Sequence, residues 1–124
     1  MSQAEQTTQA RILAAAMAEF LEKGFRAASL RSIVKAAGVT TGAFYGYYAS
    51  KQELFRALVG EVYEHILSCY RASVEAFGRL PAEEQPGQMG KISRACMREL
   101  LYYGAAHRDE MQLILQGAEG TRYA

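Results

Sequence analysis

The sequence predicts an all-α fold, and three features carry that prediction. Apolar residues recur at the three- and four-residue spacing of one helical face over most of the chain. No proline interrupts that pattern before Pro81. The stretch from Ser29 to Tyr48, SLRSIVKAAGVTTGAFYGYY, reads as two short helices joined by a tight turn. With 124 residues, 50% of them apolar, the length is that of one domain with a packed core.

Residues 1–7 are expected to be an unstructured lead-in. A first helix follows from about Thr8 to Lys23, with Ile12, Leu13, Ala16, Met17, Phe20 and Leu21 as its apolar stripe. Gly24 should end it and let Phe25 fold back on Phe20. Ser29 can cap the second helix by accepting from its free backbone N–H groups. Leu30, Ile33, Val34 and Ala37 then share a face, and Gly38 supplies a left-handed stop. Thr40 or Thr41 can cap the third helix, in which Phe44 and Tyr48 are four apart and point inward.

Ser50-Lys51-Gln52-Glu53 has the pattern of a capping box opening a fourth helix. Leu54, Phe55, Leu58, Val59, Val62, Tyr63, Ile66, Leu67, Tyr70, Val74 and Phe77 keep helical spacing, giving a rod of about 40 Å. Gly78 to Gly90, with two prolines and Glu83-Glu84, reads as a loop. Helices are expected from Met89 to about Ala106 and from Asp109 to about Gln116, and no signal explains the ending EGTRYA.

The outward face of the third helix is unlike a solvated one. At about 100° per residue, Gly42 and Gly46 lie farthest from Phe44 and Tyr48, with Ala43 and Tyr45 beside them and Thr41 and Tyr47 at the margins. Lys, Glu and Gln are absent from it. Each glycine costs about 1 kcal/mol relative to alanine in a helix, so helix propensity does not explain them. Close approach by another surface does. The second helix of a helix-turn-helix lies in the DNA major groove, where small side chains admit the backbone and hydroxyls bind phosphate. Arg31 and Lys51 each stand in the first turn of a helix, where a cation opposes the dipole and a bound phosphate would reverse that penalty.

The run from Ile12 to Leu58, including AAGVTTGAFYGYYASKQELF, resembles the N-terminal DNA-binding domain of the tetracycline-repressor (TetR) family of bacterial regulators. The resemblance lies in the Gly-Val turn, the Gly-x-x-Tyr-x-x-Tyr spacing of Gly42, Tyr45 and Tyr48, and the pair Ser50 and Lys51. Gly46 stands where the family usually presents His or Arg, and Ala49 replaces its frequent Pro or Lys. The resemblance implies a three-helix helix-turn-helix domain over residues 1–50. It further implies a connecting helix and part of a ligand-binding and dimerisation domain over 51–124, apparently truncated. Thr40, Thr41, Tyr45, Tyr47 and Lys51 would hold phosphates, Arg31, Thr41, Gly42 and Ala43 would face base edges, and Gly46 belongs to the same DNA-binding surface without a side chain to reach a base. Tyr63, Tyr70, Phe77, Met89, Cys96, Met97, Leu100 and Tyr103 could line an effector pocket, being apolar with a few hydroxyls.

Charge agrees in sign. Residues 1–56 hold seven Lys/Arg against four Glu, a net of +3, while 57–124 hold seven against nine acidic residues, a net of −2. The excess is with the proposed reader, as phosphate binding requires. Cys69 and Cys96 are too few for a disulfide framework and read as buried thiols in a reducing compartment. His65 and Cys69 make half a metal site with no second pair nearby, so neither metal nor cofactor is expected. Asp109 is the single aspartate, and no nucleophile has an orienting partner at useful spacing, which argues against an enzyme. No apolar run approaches a membrane span, and a cytoplasmic location is expected.

The function expected is therefore a transcriptional regulator, most often a repressor, that binds a palindromic operator in double-stranded DNA as a homodimer and leaves it when a small molecule binds. The alternative is an all-helical ligand- or partner-binding module whose helix-turn-helix is only architecture.

Overall fold

The computed structural model describes residues 7–124, so of the lead-in expected over 1–7 all but Thr7 lies outside the described residues. Among the described residues the secondary structure is helical throughout: α1 Thr8–Ala27, α2 Leu30–Ala37, α3 Thr41–Tyr47, α4 Lys51–Gly78, α5 Gln85–Ala106 and α6 Arg108–Gln116. The protein is all-α, as the spacing predicts.

Local signals set most helix ends. Thr7 caps α1, accepting from the Ala10 N–H at 3.0 Å. Gly24 breaks the helical path at φ 76°, and one further turn to Ala27 follows the kink. Phe25 does return to Phe20, ring centroids 6.0 Å apart. Ser29 caps α2 through Ser32 N–H at 3.2 Å, Gly38 closes it at φ 70°, and Thr40 caps α3 through Ala43 N–H at 3.0 Å. Gly38 needs its missing Cβ here, because this left-handed conformation is strained for other residues.

Two expectations change. Ser50 accepts from Glu53 N–H at 3.1 Å, but the Glu53 carboxylate turns to Arg56 at 3.8 Å, so only half of the capping box forms. The expected loop over 78–90 is shorter, since α5 begins at Gln85 and takes Pro86 into its first turn. Proline is tolerated there because its missing N–H had no helical partner to lose. The Gln85 amide donates to the carbonyls of Phe77 and Leu80, satisfying acceptors at the end of α4.

The described residues form two compact units, 7–60 with 109–124, and 61–108. The first is built on an aromatic cluster in which the Phe55 ring meets Phe20 and Phe25 edge to face, at 5.1 and 5.4 Å. Ile12, Ala16, Ile33, Phe44, Leu54, Val59 and, from α6, Leu113 are buried around it. The ending with no sequence signal belongs to this core: Tyr123 is buried with its ring 6.2 Å from Phe55, and the Phe25 N–H donates to the Gly117 carbonyl at 2.8 Å.

In the second unit the later turns of α4 run beside α5. His65 stacks on Tyr103 at 3.6 Å, and Cys69 meets Cys96. No residue of α5 is fully buried, while Tyr70, Val74, Met89, Met97, Leu101 and Tyr102 are exposed.

Candidate nucleic-acid interface

α1 braces the corner made by α2 and α3. The carboxylate of Glu19 accepts the backbone N–H of Ser29 at 2.8 Å and pairs with Lys23 at 3.0 Å. The Ser29 hydrogen bond, aided by Lys23, holds the Glu19 carboxyl below its ordinary value against the opposing effect of burial. Gln9 donates to the Tyr48 hydroxyl at 3.1 Å. These contacts fix both ends of the α2–α3 corner from outside it.

Phe44 is fully buried and Tyr48 nearly so, which turns the opposite side of α3 outward. Thr40, Thr41, Gly42, Ala43, Tyr45, Gly46 and Tyr47 are all exposed, Tyr45 at 52% and Tyr47 at 48%. Arg31 is exposed on α2. A Cβ added at Gly42 or Gly46 would meet nothing within 4 Å. Neither glycine has positive φ. Internal packing and backbone conformation therefore leave both glycines unexplained, and the bare surface they produce faces away from the core.

Residues 12–58 match the family described as bacterial regulatory proteins, tetR family. This stretch is a tetR-family helix-turn-helix domain. Three relatives agree with the assignment. The chain is 36% identical over 70 residues to the HTH-type transcriptional regulator UidR of Escherichia coli, covering 56% of this chain and 36% of the relative. It is 34% identical over 96 residues to the HTH-type transcriptional regulator TtgR of Pseudomonas putida, covering 77% and 40%. It is 38% identical over 64 residues to the HTH-type transcriptional repressor KstR2 of Mycobacterium tuberculosis, covering 52% and 31%. The chain thus spans between about a third and two fifths of the length of these relatives.

Within the tetR-family domain the Gly-x-x-Tyr-x-x-Tyr spacing divides between two tasks. Gly42 and Tyr45 are on the exposed side, while Tyr48 closes the core and receives Gln9. Lys51 has an employment that the sequence did not reveal. Its ammonium donates to the Arg26 and Ala28 carbonyls, each at 3.2 Å, and lies 4.6 Å over the Phe25 ring. Two of its three donors thus serve the carbonyl groups that follow the Gly24 kink, leaving a third. No local signal could have found these ties, because Arg26 and Lys51 are 25 residues apart. The Glu19–Ser29 bond was missed for the same reason.

Of the residues expected to line an effector pocket, six come together. Tyr70, Phe77, Met89, Cys96, Met97 and Leu100 line a groove of about 410 Å³ with Val74 and Ile92. Tyr63 and Tyr103 are not in its lining; the Tyr103 ring is stacked between His65 and His107. The described residues contain no group of three His, Cys, Asp or Glu able to hold a metal ion, and no helix long and apolar enough to cross a membrane.

Proposed function

We propose that this chain is the DNA-binding part of a transcriptional repressor. It binds a near-palindromic operator in double-stranded DNA as a homodimer in the cytoplasm and leaves it when a small molecule occupies the C-terminal part. Residues 1–50 are the reader, and 51–124 supply the connecting helix and part of the effector-binding and dimerisation domain. The observation that carries this reading is the α3 face on which Gly42 and Gly46 stand without any internal reason for being glycine. A groove wall of DNA supplies the reason, since it must approach the helix backbone closely.

In this reading Thr40, Thr41, Tyr45, Tyr47 and the remaining donor of Lys51 hold phosphates. Arg31, Thr41, Gly42 and Ala43 lie against base edges, and Gly46 is part of the same DNA-facing surface. With so few long donors on the face, thymine-methyl contacts and DNA shape carry much of the specificity. The two readers of a dimer stand about 34 Å apart, one turn of the duplex. The groove of Tyr70, Phe77, Met89, Cys96, Met97 and Leu100 supports an apolar effector. The exposed Leu101 and Tyr102 of α5 support burial against further polypeptide in the intact protein.

The test is a mobility-shift titration of the intact protein against DNA from upstream of its own gene at several salt concentrations. Retention should fall linearly on a log–log plot of affinity against salt, and Tyr45→Phe should weaken it. Salt-independent or absent retention, with Tyr45→Phe indistinguishable from the parent, would leave the architecture-only alternative standing.

A further inference from the structure

The chain's two cysteines meet in the second unit. Cys69 is in α4 and Cys96 in α5, and their sulfurs stand 3.0 Å apart in a hydrogen bond that either thiol can donate. The Cys69 sulfur is also 3.7 Å from the Cys96 carbonyl oxygen, to which it can donate. The sequence suggested buried thiols; both are instead half-buried, and they are in contact with one another. Both line an open groove of about 500 Å³ together with His65, Ser68, Ser73 and Glu99, so a small reagent reaches them from solvent. A disulfide requires sulfurs about 2.05 Å apart on side chains whose Cβ vectors converge. At 3.0 Å the two sulfurs already stand within about 1 Å of that bond length.

We propose that Cys69 and Cys96 form a reversible oxidation site, which a low-molecular-weight disulfide converts into an intramolecular cross-link between α4 and α5. One of the two cysteine sulfurs, giving up its proton, attacks one sulfur of the small disulfide, forms a mixed disulfide and expels one small thiolate, which takes that proton. The other cysteine then loses its proton and attacks the protein sulfur of that mixed disulfide, and the second small thiolate leaves and is protonated in turn. Two protein thiols are oxidised by two electrons, and one small disulfide is reduced to two thiols.

Hydrogen bonding to Cys96, followed by burial, pushes the Cys69 thiol up to about 11. Cys69 therefore remains protonated at neutral pH, and since the thiolate is the attacking form, the reaction accelerates as pH rises. Cys96 also lines the apolar groove with Tyr70, Phe77 and Met97. Oxidation consequently alters a wall of that groove, whatever occupies it.

The experiment treats the intact protein with oxidised glutathione at pH 7 and pH 8.5 and follows free thiols, intact mass and mobility on a non-reducing gel. Titratable thiols should fall from two to none, with a mass loss of about 2 Da for the two hydrogens. The band should stay monomeric, the reaction should be faster at the higher pH, and dithiothreitol should reverse it. Cys69→Ser and Cys96→Ser, each left with one thiol, should instead retain one glutathione as a mixed disulfide. Two thiols persisting in the parent under conditions that oxidise a small reference dithiol would overturn the proposal. So would two bound glutathiones, or a disulfide-linked dimer as the sole product.

Discussion

Glu19 of α1 accepts the backbone N–H of Ser29, the residue that caps α2, at 2.8 Å. One residue thereby works in both directions: its hydroxyl receives the Ser32 N–H of α2, and its own N–H is held by α1. Such a bond to a charged acceptor contributes about 1.5–3 kcal/mol. Because the Glu19 carboxyl is held below its ordinary value of 4.5, its contribution is complete above that value and is lost as pH falls through the lowered one. Thermal melts should show Glu19→Ala less stable than the parent at pH 7, with the gap closing toward pH 3. A gap of equal size at both pH values would mean that ionised Glu19 contributes nothing to the corner.

Gly42→Ala and Gly46→Ala should raise stability, by up to about 1 kcal/mol each, since the new methyl meets empty space and alanine is the better helix former. The same changes should weaken DNA retention in the mobility-shift titration. Greater stability with undiminished retention would remove the close approach to DNA from the proposed function.

Lys51→Ala should cost about 1–2 kcal/mol, because the Arg26 and Ala28 carbonyls lose a charged donor. Chemical denaturation measures that loss. The salt dependence of DNA affinity separates the second role: a phosphate contact reduces the log–log slope by close to one unit. Lost stability with an unchanged slope would confine Lys51 to bracing.

Leu113→Ala should be among the more damaging single changes in the first unit, at about 2–5 kcal/mol, because Leu113 is 1% exposed and its removal leaves a cavity. The Phe25 amide, which donates to the Gly117 carbonyl, should then lose protection in hydrogen exchange. Unchanged protection at Phe25 would show that α6 and the residues after it are dispensable to the aromatic cluster.

The helix-turn-helix was legible in the sequence because its signals act over three or four residues. Ser29, Gly38, Thr40 and the spacing of Phe44 and Tyr48 each specify a local conformation, and each stands in the structure as the chemistry demands. The bare face of Thr41 to Tyr47 followed from the same periodicity. Local rules misjudged the capping box and the loop before α5, where more than one partner or conformation satisfied the same signal: Glu53 had Arg56 as well as a backbone donor, and Pro86 suits a first helical turn as well as a loop.

The sequence by itself determined the all-α class, the corner at Gly38 and which side of α3 is turned outward, since helical geometry converts short-range spacing directly into a face. Tertiary structure alone decided that Glu19 holds Ser29, that Lys51 serves the carbonyls after the Gly24 kink, that Tyr123 joins Phe55 in the core and that Cys69 meets Cys96. Those pairs are separated by 10 to 68 residues, and no propensity or cap acts over such a span. They exist because burial of apolar surface folds distant turns together, and only then do particular donors, rings and sulfurs find one another.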